Sequence, residues 1–263
     1  MLLQQPAESP YDVRFNLFGF FTRISWTFWL VAVVLGYDFV QLTEQIYRQN
    51  SPGRIPLLIV WVAMMAISIL IHELGHAIAF RRFGFDSSIV LYYLGGLASP
   101  TASFRGGRSR QRFEGREEVI VAAAGPVFQI GSAIIVIMVA NYFNYRVVSL
   151  AMLPGPLSAF GAFVQGREFE NAFVFGIVNF YVWPSIAWGI LNLLPVLPLD
   201  GGRICKGLVE MQGGATSTAI WISVVTAAVV AVYAFNSQQT ILAIFFASMA
   251  ISNYQTIQPS NPW

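Results

Sequence analysis

Four stretches without a charged residue set the strongest limit on what this chain can fold into. They run from Ile55 to Ile71, Val119 to Tyr145, Asn171 to Leu199 and Met211 to Trp263. Each is close to or longer than the ~20 apolar residues that a helix needs to cross a bilayer. The 263-residue chain is also 56% apolar and only 11% charged, far from the average soluble domain. These features predict a polytopic membrane protein and exclude a soluble enzyme.

Polar breaks in the apolar sequence predict about six membrane spans. A single domain over 1–263 then contains a lead-in over 1–23 and spans near 24–40, 55–80, 119–142, 173–194, 218–235 and 241–254. The segment Ser88 to Pro100 is apolar but too short to span, and Gly95 and Gly96 disfavour a stable helix there. We expect this segment to form a re-entrant β-hairpin or strand that protein shelters from lipid. The predicted fold class is therefore all-α and polytopic, with this strand element after the second helix.

The distribution of basic residues predicts how the spans are oriented. Seven arginines lie between Arg81 and Glu118, which is close to half of the 15 basic residues. Short arginine-rich loops stay on the cytoplasmic side, so this loop is predicted to be cytoplasmic. With six spans both termini are then cytoplasmic, and the connection from Asn144 to Asn171 lies outside. The net charge of +2 is too small to indicate binding to nucleic acid, whereas the apolar spans require a lipid bilayer.

The second predicted span contains the only two histidines of the chain, in the sequence His72-Glu73-Leu74-Gly75-His76. Residues four apart share one face of a helix, so both imidazoles can point at one ion with Glu73 beside them. A glutamate in hydrocarbon costs on the order of 3 kcal/mol unless it is paired or faces a polar cavity. Two imidazoles and a carboxylate, with a fourth position open to water, are typical of catalytic zinc sites. The motif therefore predicts one zinc ion per chain and an acidic third ligand.

Asp200 is the strongest candidate for the third ligand among the acidic residues next to apolar segments. It follows Pro195 and Pro198, which prevent a regular helix. It precedes Gly201 and Gly202, which permit a close approach of backbone to a metal site. The other acidic residues next to apolar segments are Asp38, Asp86, Glu117, Glu118, Glu170 and Glu210.

Both candidate elements lie near a boundary of basic residues. His76 precedes Arg81 by five residues, which at ~1.5 Å per residue puts the ion on the order of 8 Å inside the boundary. Asp200 precedes Arg203 by three residues. The active site is therefore predicted near the cytoplasmic side of the membrane.

Two alternatives remain open from the residues alone. One is a non-proteolytic membrane zinc-binding protein, either a metal carrier or a pseudoprotease. A carrier is expected to have more than one ion site along its path, and this chain has no third histidine. The other is a membrane zinc protease whose third ligand is a glutamate on a neighbouring helix, and no such glutamate is well placed within a span.

The chain resembles the site-2 proteases, zinc metalloproteases that cut peptide bonds within membranes. The resemblance rests on the histidine motif within an apolar helix and on the long pattern Asn192-Leu193-Leu194-Pro195-Val196-Leu197-Pro198-Leu199-Asp200-Gly201. Gly95-Gly96 and Ala124-Gly125-Pro126 are further matches, and the resemblance covers Leu70 to about Lys206. It implies the minimal six-span form of the family, without a PDZ insertion or a C-terminal nucleotide-sensing pair.

The resemblance implies a chemical role for four residues. His72, His76 and Asp200 would bind the zinc ion, and Glu73 would be the catalytic base that takes a proton from the attacking water. Glu73 would later hand that proton to the leaving amine. The implied function is a zinc-dependent endopeptidase that cuts transmembrane protein substrates in regulated intramembrane proteolysis.

The resemblance also implies how substrate is held. Asn192 would bind the substrate backbone or the developing oxyanion, and Gly95 and Gly96 would lie in an edge strand that pairs with extended substrate. The chain departs from the family after Gly125-Pro126, where many members carry an asparagine a few positions on. Any polar role at that place falls to Gln129.

Overall fold

The computed structural model describes residues 7–93, 95–101, 115–153, 158–159, 161 and 165–257. Four strands and seven α-helices follow one another in these ranges: β1 (Val13–Leu17), β2 (Phe20–Ile24), α1 (Trp26–Tyr47), α2 (Arg54–Arg82), β3 (Asp86–Tyr92), β4 (Gly95–Thr101), α3 (Gly115–Tyr142), α4 (Ala172–Asn192), α5 (Asp200–Met211), α6 (Thr216–Asn236) and α7 (Thr240–Ile257). Within this part of the chain, six helices are long and apolar enough to cross a membrane, namely all except α5. The prediction of six such helices is confirmed.

The helix ends differ from the predicted spans where local backbone chemistry sets them. α1 begins after β2 and continues to Tyr47, beyond the predicted end at residue 40. α4 ends at Asn192, because the two prolines that follow do not continue a helix. Pro126 and Pro184 lie inside α3 and α4 without ending either helix. The short amphipathic helix α5 was not predicted, because its charged residues are not typical of a membrane span.

The strands form one four-stranded sheet in the order β1-β2-β3-β4. The antiparallel pair β3 and β4, with Tyr92 opposite Gly95, is the hairpin predicted after the second helix. The pair β1 and β2 is also antiparallel and turns at Phe18 and Gly19, both of which have positive φ. β2 pairs with β3 in parallel, so the lead-in is part of the sheet. The sequence did not predict β1 and β2.

The helices and strands fall into two compact units, the first comprising 1–105 and 127–189 and the second 106–126 and 190–263. The first unit has a core of aromatic and branched side chains from α1, α2, the sheet and α4. Trp61 is fully buried there, and its Nε1 donates a hydrogen bond of 2.8 Å to the carbonyl of Ala32. Gly36 permits this contact, because a Cβ atom at that position would overlap the Trp61 ring.

The second unit has a smaller core in which α6 and α7 pack along each other. The residues Val196, Leu199, Ala227, Phe246 and Met249 are buried together in it. The chain between α4 and α5 therefore contributes to this core, although it is not helical. Within the predicted arginine-rich loop from Arg81 to Glu118, residues 102–114 lie outside the described residues.

Candidate metal centre

α2 buries the histidine motif on one face. His72, Glu73 and His76 are exposed by only 3%, 4% and 4%. The Nε2 atoms of the two histidines are 3.1 Å apart and the ring centroids 4.8 Å apart. The four-residue spacing thus aims both Nε2 atoms at one place, as the helical period predicts.

Asp200 is the buried first residue of α5. The ligand atoms of His72, His76 and Asp200 all lie within 4.8 Å of one another. The structure therefore brings together the three residues that the sequence proposed, in a group that could hold a metal ion.

His72 is tied to α3 by a hydrogen bond on the far side of its ring. Its Nδ1 lies 2.9 Å from Oε1 of Gln129, a fully buried residue. Nε2 of Gln129 donates a bond of 3.0 Å to Oγ of Ser68, one turn before His72 on α2. Ser68 in turn contacts Ser185 of α4 at 2.7 Å. A buried chain of polar side chains therefore connects α2, α3 and α4 behind the first histidine.

Glu73 packs directly against strand β4. A Cβ atom built on Gly96 would overlap Oε1, Cγ and Cδ of the Glu73 side chain. Glycine is therefore needed at position 96 to leave room for the carboxylate. Burial, and after it the negative charge of Glu73, raises the pKa of Tyr92 to about 12, so the phenol near this carboxylate stays protonated.

Gly95 begins β4 with φ of +113°, a backbone conformation that L side chains rarely adopt. A Cβ atom there would lie 2.7 Å from Cζ2 of Trp188 on α4. Both glycines of the predicted edge strand are thus explained by close packing, one against an aromatic ring and the other against Glu73.

The segment before Asp200 is irregular and is held by its backbone. Leu197 precedes Pro198 through a cis peptide bond. The Leu197 N–H donates a bond of 2.7 Å to Oγ of Ser223 on α6, and its carbonyl accepts a bond of 2.7 Å from Nδ2 of Asn253 on α7. One residue of the segment is therefore fixed on both sides by side chains of the last two helices.

The glycines after Asp200 let α5 begin against this segment. A Cβ atom on Gly201 would overlap the backbone carbonyls of Leu193 and Leu194, and one on Gly202 would overlap the backbone of Val196 and Leu197. No side chain fits in either place. The Asp-Gly-Gly sequence is thus explained by the packing of the helix start on the preceding loop.

Arg203 adds an electrostatic contact one turn after Asp200. Its Nε donates a bond of 2.8 Å to Oε1 of Glu118 on α3, and its Nη1 lies 3.8 Å from Oδ1 of Asp200. The guanidinium is partly exposed, so the contribution to stability is small. Asp200 therefore lies next to a cationic side chain and is followed by two glycines.

The remaining predicted residue, Asn192, is the last residue of α4 and is only 8% exposed. Four residues that support the candidate ligands were not predicted from the sequence, namely Ser68, Ser185, Ser223 and Asn253. Each is a polar residue inside an apolar helix, and that pattern was the available signal.

Comparisons with known proteins agree on one family and one fold. The family model for Peptidase family M50 matches residues 60–235. The putative zinc metalloprotease Rip3 of Mycobacterium tuberculosis is 22% identical over 210 residues, which cover 74% of this chain and 43% of that protein. The putative zinc metalloprotease sll0528 of Synechocystis is 27% identical over 212 residues, which cover 79% of this chain and 46% of that protein. The chain thus spans less than half the length of these curated relatives.

One solved structure extends the comparison to the fold. The site-2 protease from Methanocaldococcus jannaschii superposes with a TM-score of 0.50 at 20% sequence identity. The match covers 96% of this chain and 98% of that one. The likeness therefore concerns the architecture of nearly the whole chain.

Proposed function

The chain belongs to peptidase family M50, and on that premise we propose that it is a zinc-dependent endopeptidase that cuts membrane proteins within or near their transmembrane segments. The observation that carries the proposal is the group of three buried ligands beside a buried glutamate. The ligand atoms of His72, His76 and Asp200 are within 4.8 Å of one another, and Glu73 follows His72 directly. The six apolar helices make it an integral, multi-pass membrane protein.

The donor atoms fit zinc. Two imidazole nitrogens and one carboxylate oxygen form the three-ligand set that catalytic zinc sites use, with a further position left for water or substrate. His72, His76 and Asp200 would hold the ion. When bound, zinc lowers the pKa of a coordinated water toward ~7 and polarises a carbonyl.

Glu73 carries the proton transfer in this proposal. It lies one residue after His72, and at ~100° per residue its side chain leaves the helix beside the ligands rather than with them. The carboxylate accepts a proton from the attacking water and later gives it to the leaving amine. Packing against Gly96 limits the positions that the carboxylate can take.

We propose that substrate binds as an extended strand along β4. A helical peptide keeps its carbonyls in internal hydrogen bonds, so it must unwind before hydrolysis. β4 is the last strand of the sheet in the described residues, and Gly96 brings its backbone against Glu73. Strand addition there would present a substrate carbonyl near the base. Asn192 is proposed as a further group that binds substrate backbone or the developing oxyanion.

The test of the function is cleavage of a helix-destabilised model transmembrane substrate by purified, zinc-loaded protein. Glu73→Gln preserves the shape of the side chain but removes the base. We expect it to retain stoichiometric zinc and to lose cleavage by roughly 10²–10⁴-fold. A wild-type protein that binds zinc and cuts no member of a substrate panel would favour a metal carrier or pseudoprotease instead. Undiminished activity in Glu73→Gln would refute the role of Glu73.

We also propose that both termini are cytoplasmic, that the active site lies near the cytoplasmic side, and that the enzyme acts in regulated intramembrane proteolysis. The arginine distribution supports this orientation. In a Cys205→Ser background, single cysteines at Ser109 and Ser158 should react with a membrane-impermeant reagent from opposite sides. Labelling of both from the same side would overturn the orientation.

A further inference from the structure

Gln129 lies behind the candidate metal centre and has no place in the proposed reaction. It is on α3, is fully buried, and bonds to His72 through Oε1 and to Ser68 through Nε2. A buried amide between apolar helices would be stabilised by any pair of hydrogen bonds. The particular partners of Gln129 also fix the orientation of its side-chain amide. Each hydrogen bond in the chain determines which atom donates in the next one.

The direction is set at the far end of the chain of bonds. Oγ of Ser185 lies 2.6 Å from the backbone carbonyl oxygen of Tyr181, which can only accept a hydrogen bond. The Ser185 hydroxyl therefore donates its single proton to that carbonyl. Ser185 must then accept in its 2.7 Å contact with Ser68, and Ser68 is the donor. The single proton of Ser68 is thereby used as well.

The remaining two bonds follow from that assignment. Ser68 must accept in its 3.0 Å contact with Gln129, so the amide group that faces it is the NH₂. The amide oxygen therefore faces His72 and can only accept from Nδ1 at 2.9 Å. Nδ1 of His72 carries the proton, and in a neutral imidazole Nε2 then presents its lone pair. Nε2 is the atom that faces His76.

We propose that Gln129 is a positioning residue that selects the metal-binding tautomer of His72, with its own orientation fixed by Ser68 and Ser185. This inference rests on the proposed function, because it takes His72 to be a metal ligand. Histidines that bind metals characteristically donate their other ring N–H to an acceptor, and loss of that acceptor weakens metal affinity. Here the acceptor is the neutral side-chain amide of Gln129. This amide cannot exchange the positions of its oxygen and nitrogen without breaking its hydrogen bond to Ser68.

α3 and α4 pack closely where Gln129 lies. A Cβ atom on Gly189 of α4 would lie 2.7 Å from Cγ1 of Ile130, the residue after Gln129, so the glycine is explained by Ile130 rather than by the amide. Ser132 also connects α3 and α4, but through the backbone carbonyl of Gln129 and the hydroxyl of Tyr181. Ser132 thus offers a matched control that removes a helix-connecting hydroxyl without touching the amide.

The test measures zinc affinity by chelator competition in full-length protein. Gln129→Met keeps the length of the side chain and removes the acceptor, and we expect it to weaken zinc binding roughly 10- to 100-fold. Gln129→Glu keeps an oxygen acceptor for Nδ1–H in either protonation state and should bind zinc as the wild type does. Ser132→Ala should also leave zinc affinity unchanged.

A second readout reports the tautomer directly. ¹⁵N NMR of metal-free, ¹⁵N-histidine-labelled protein needs to resolve the signals of only two imidazole rings. The spectrum of His76→Asn assigns the signals of His72. We expect protonated Nδ1 and unprotonated Nε2 in the wild type and in Gln129→Glu, and loss of this preference in Gln129→Met. A change confined to packing would not move this signature. The wild-type spectrum also decides the matter if a variant fails to fold.

Each outcome distinguishes the inference from the proposed function. Wild-type protein with Nε2–H on His72, or Gln129→Met with unchanged affinity and tautomer, would overturn the inference alone. Equal loss of zinc in the Met and Glu variants would also overturn it, because packing would then explain both. If His72→Ala kept stoichiometric zinc, the ligand assignment itself would be wrong and the inference would fall with it.

Discussion

The two elements that supply the candidate ligands are built in opposite ways. α2 is a regular helix, and its period alone brings the two Nε2 atoms to 3.1 Å, while the side chain of Gln129 on α3 orients the His72 ring. Asp200 follows an irregular segment that is fixed through its backbone by Ser223 and Asn253 and through glycine contacts. A regular helix thus places its ligands by residue spacing, and it needs neighbouring helices only to orient the ligand side chains. An irregular segment needs support for its position as well.

The largest expected effect tests whether helix α2 is sufficient to bind the ion. If α2 alone held the ion, Asp200→Ala would retain zinc. We expect instead that this variant loses stoichiometric zinc and all measurable cleavage, because two imidazoles leave the three-ligand set incomplete. Elemental analysis of purified protein measures the metal. Asp86→Ala, which removes another acidic residue next to an apolar segment, should retain both zinc and activity.

The next largest effect tests the proposed base, Glu73, independently of the two histidine ligands on the same helix. Gly96→Ala should displace the Glu73 carboxylate, since the added methyl group overlaps it. A displacement of about 1 Å at a catalytic group costs on the order of 10² in rate, so cleavage should fall by that factor while zinc is retained. Gly131→Ala is the control, because a methyl group there has nothing within 4 Å. Cleavage by Gly96→Ala at the wild-type rate would contradict the proposed contact.

The smallest expected effect tests the irregular element. Ser223→Ala and Asn253→Ala each remove one hydrogen bond to the Leu197 backbone. Each should lower the free energy of unfolding by about 1 kcal/mol and also weaken zinc binding, because the segment carries a ligand at its end. Thermal denaturation and chelator competition measure the two effects. Zinc affinity that does not change in the double variant would show that Asp200 is positioned by its glycines alone.

Local patterns in the sequence predicted the features that depend on a single segment. Hydropathy predicted the six apolar helices, and the helical period predicted that His72 and His76 share a face. The prolines and glycines around Asp200 predicted an irregular approach, which the structure has. The resemblance to the site-2 proteases is confirmed by the family match over residues 60–235.

Features that depend on distant partners could not be predicted in this way. β1 and β2 are short and pair with each other, and in the described residues this pair joins the rest of the sheet through β3, which follows β2 in the chain after two helices. The bonds from Gln129 to His72 and Ser68 join residues 57 and 61 positions apart, and Ser68 and Ser185 are 117 apart. No local pattern encodes such pairs. The sequence could indicate that Gln129 replaces a family asparagine, but not which atoms it contacts.

The backbone bonds at Leu197 also set an order of events during synthesis. Both of their side-chain partners belong to helices that follow Asp200 in the chain, so the ribosome makes the ligand before the residues that steady it. A nascent chain that ends before α6 contains His72, Glu73, His76 and Asp200 but has neither of these bonds. The segment that bears Asp200 therefore acquires its full support only once α7 has been made. Maturation of the candidate centre is in this way coupled to the synthesis of α7 through Asn253.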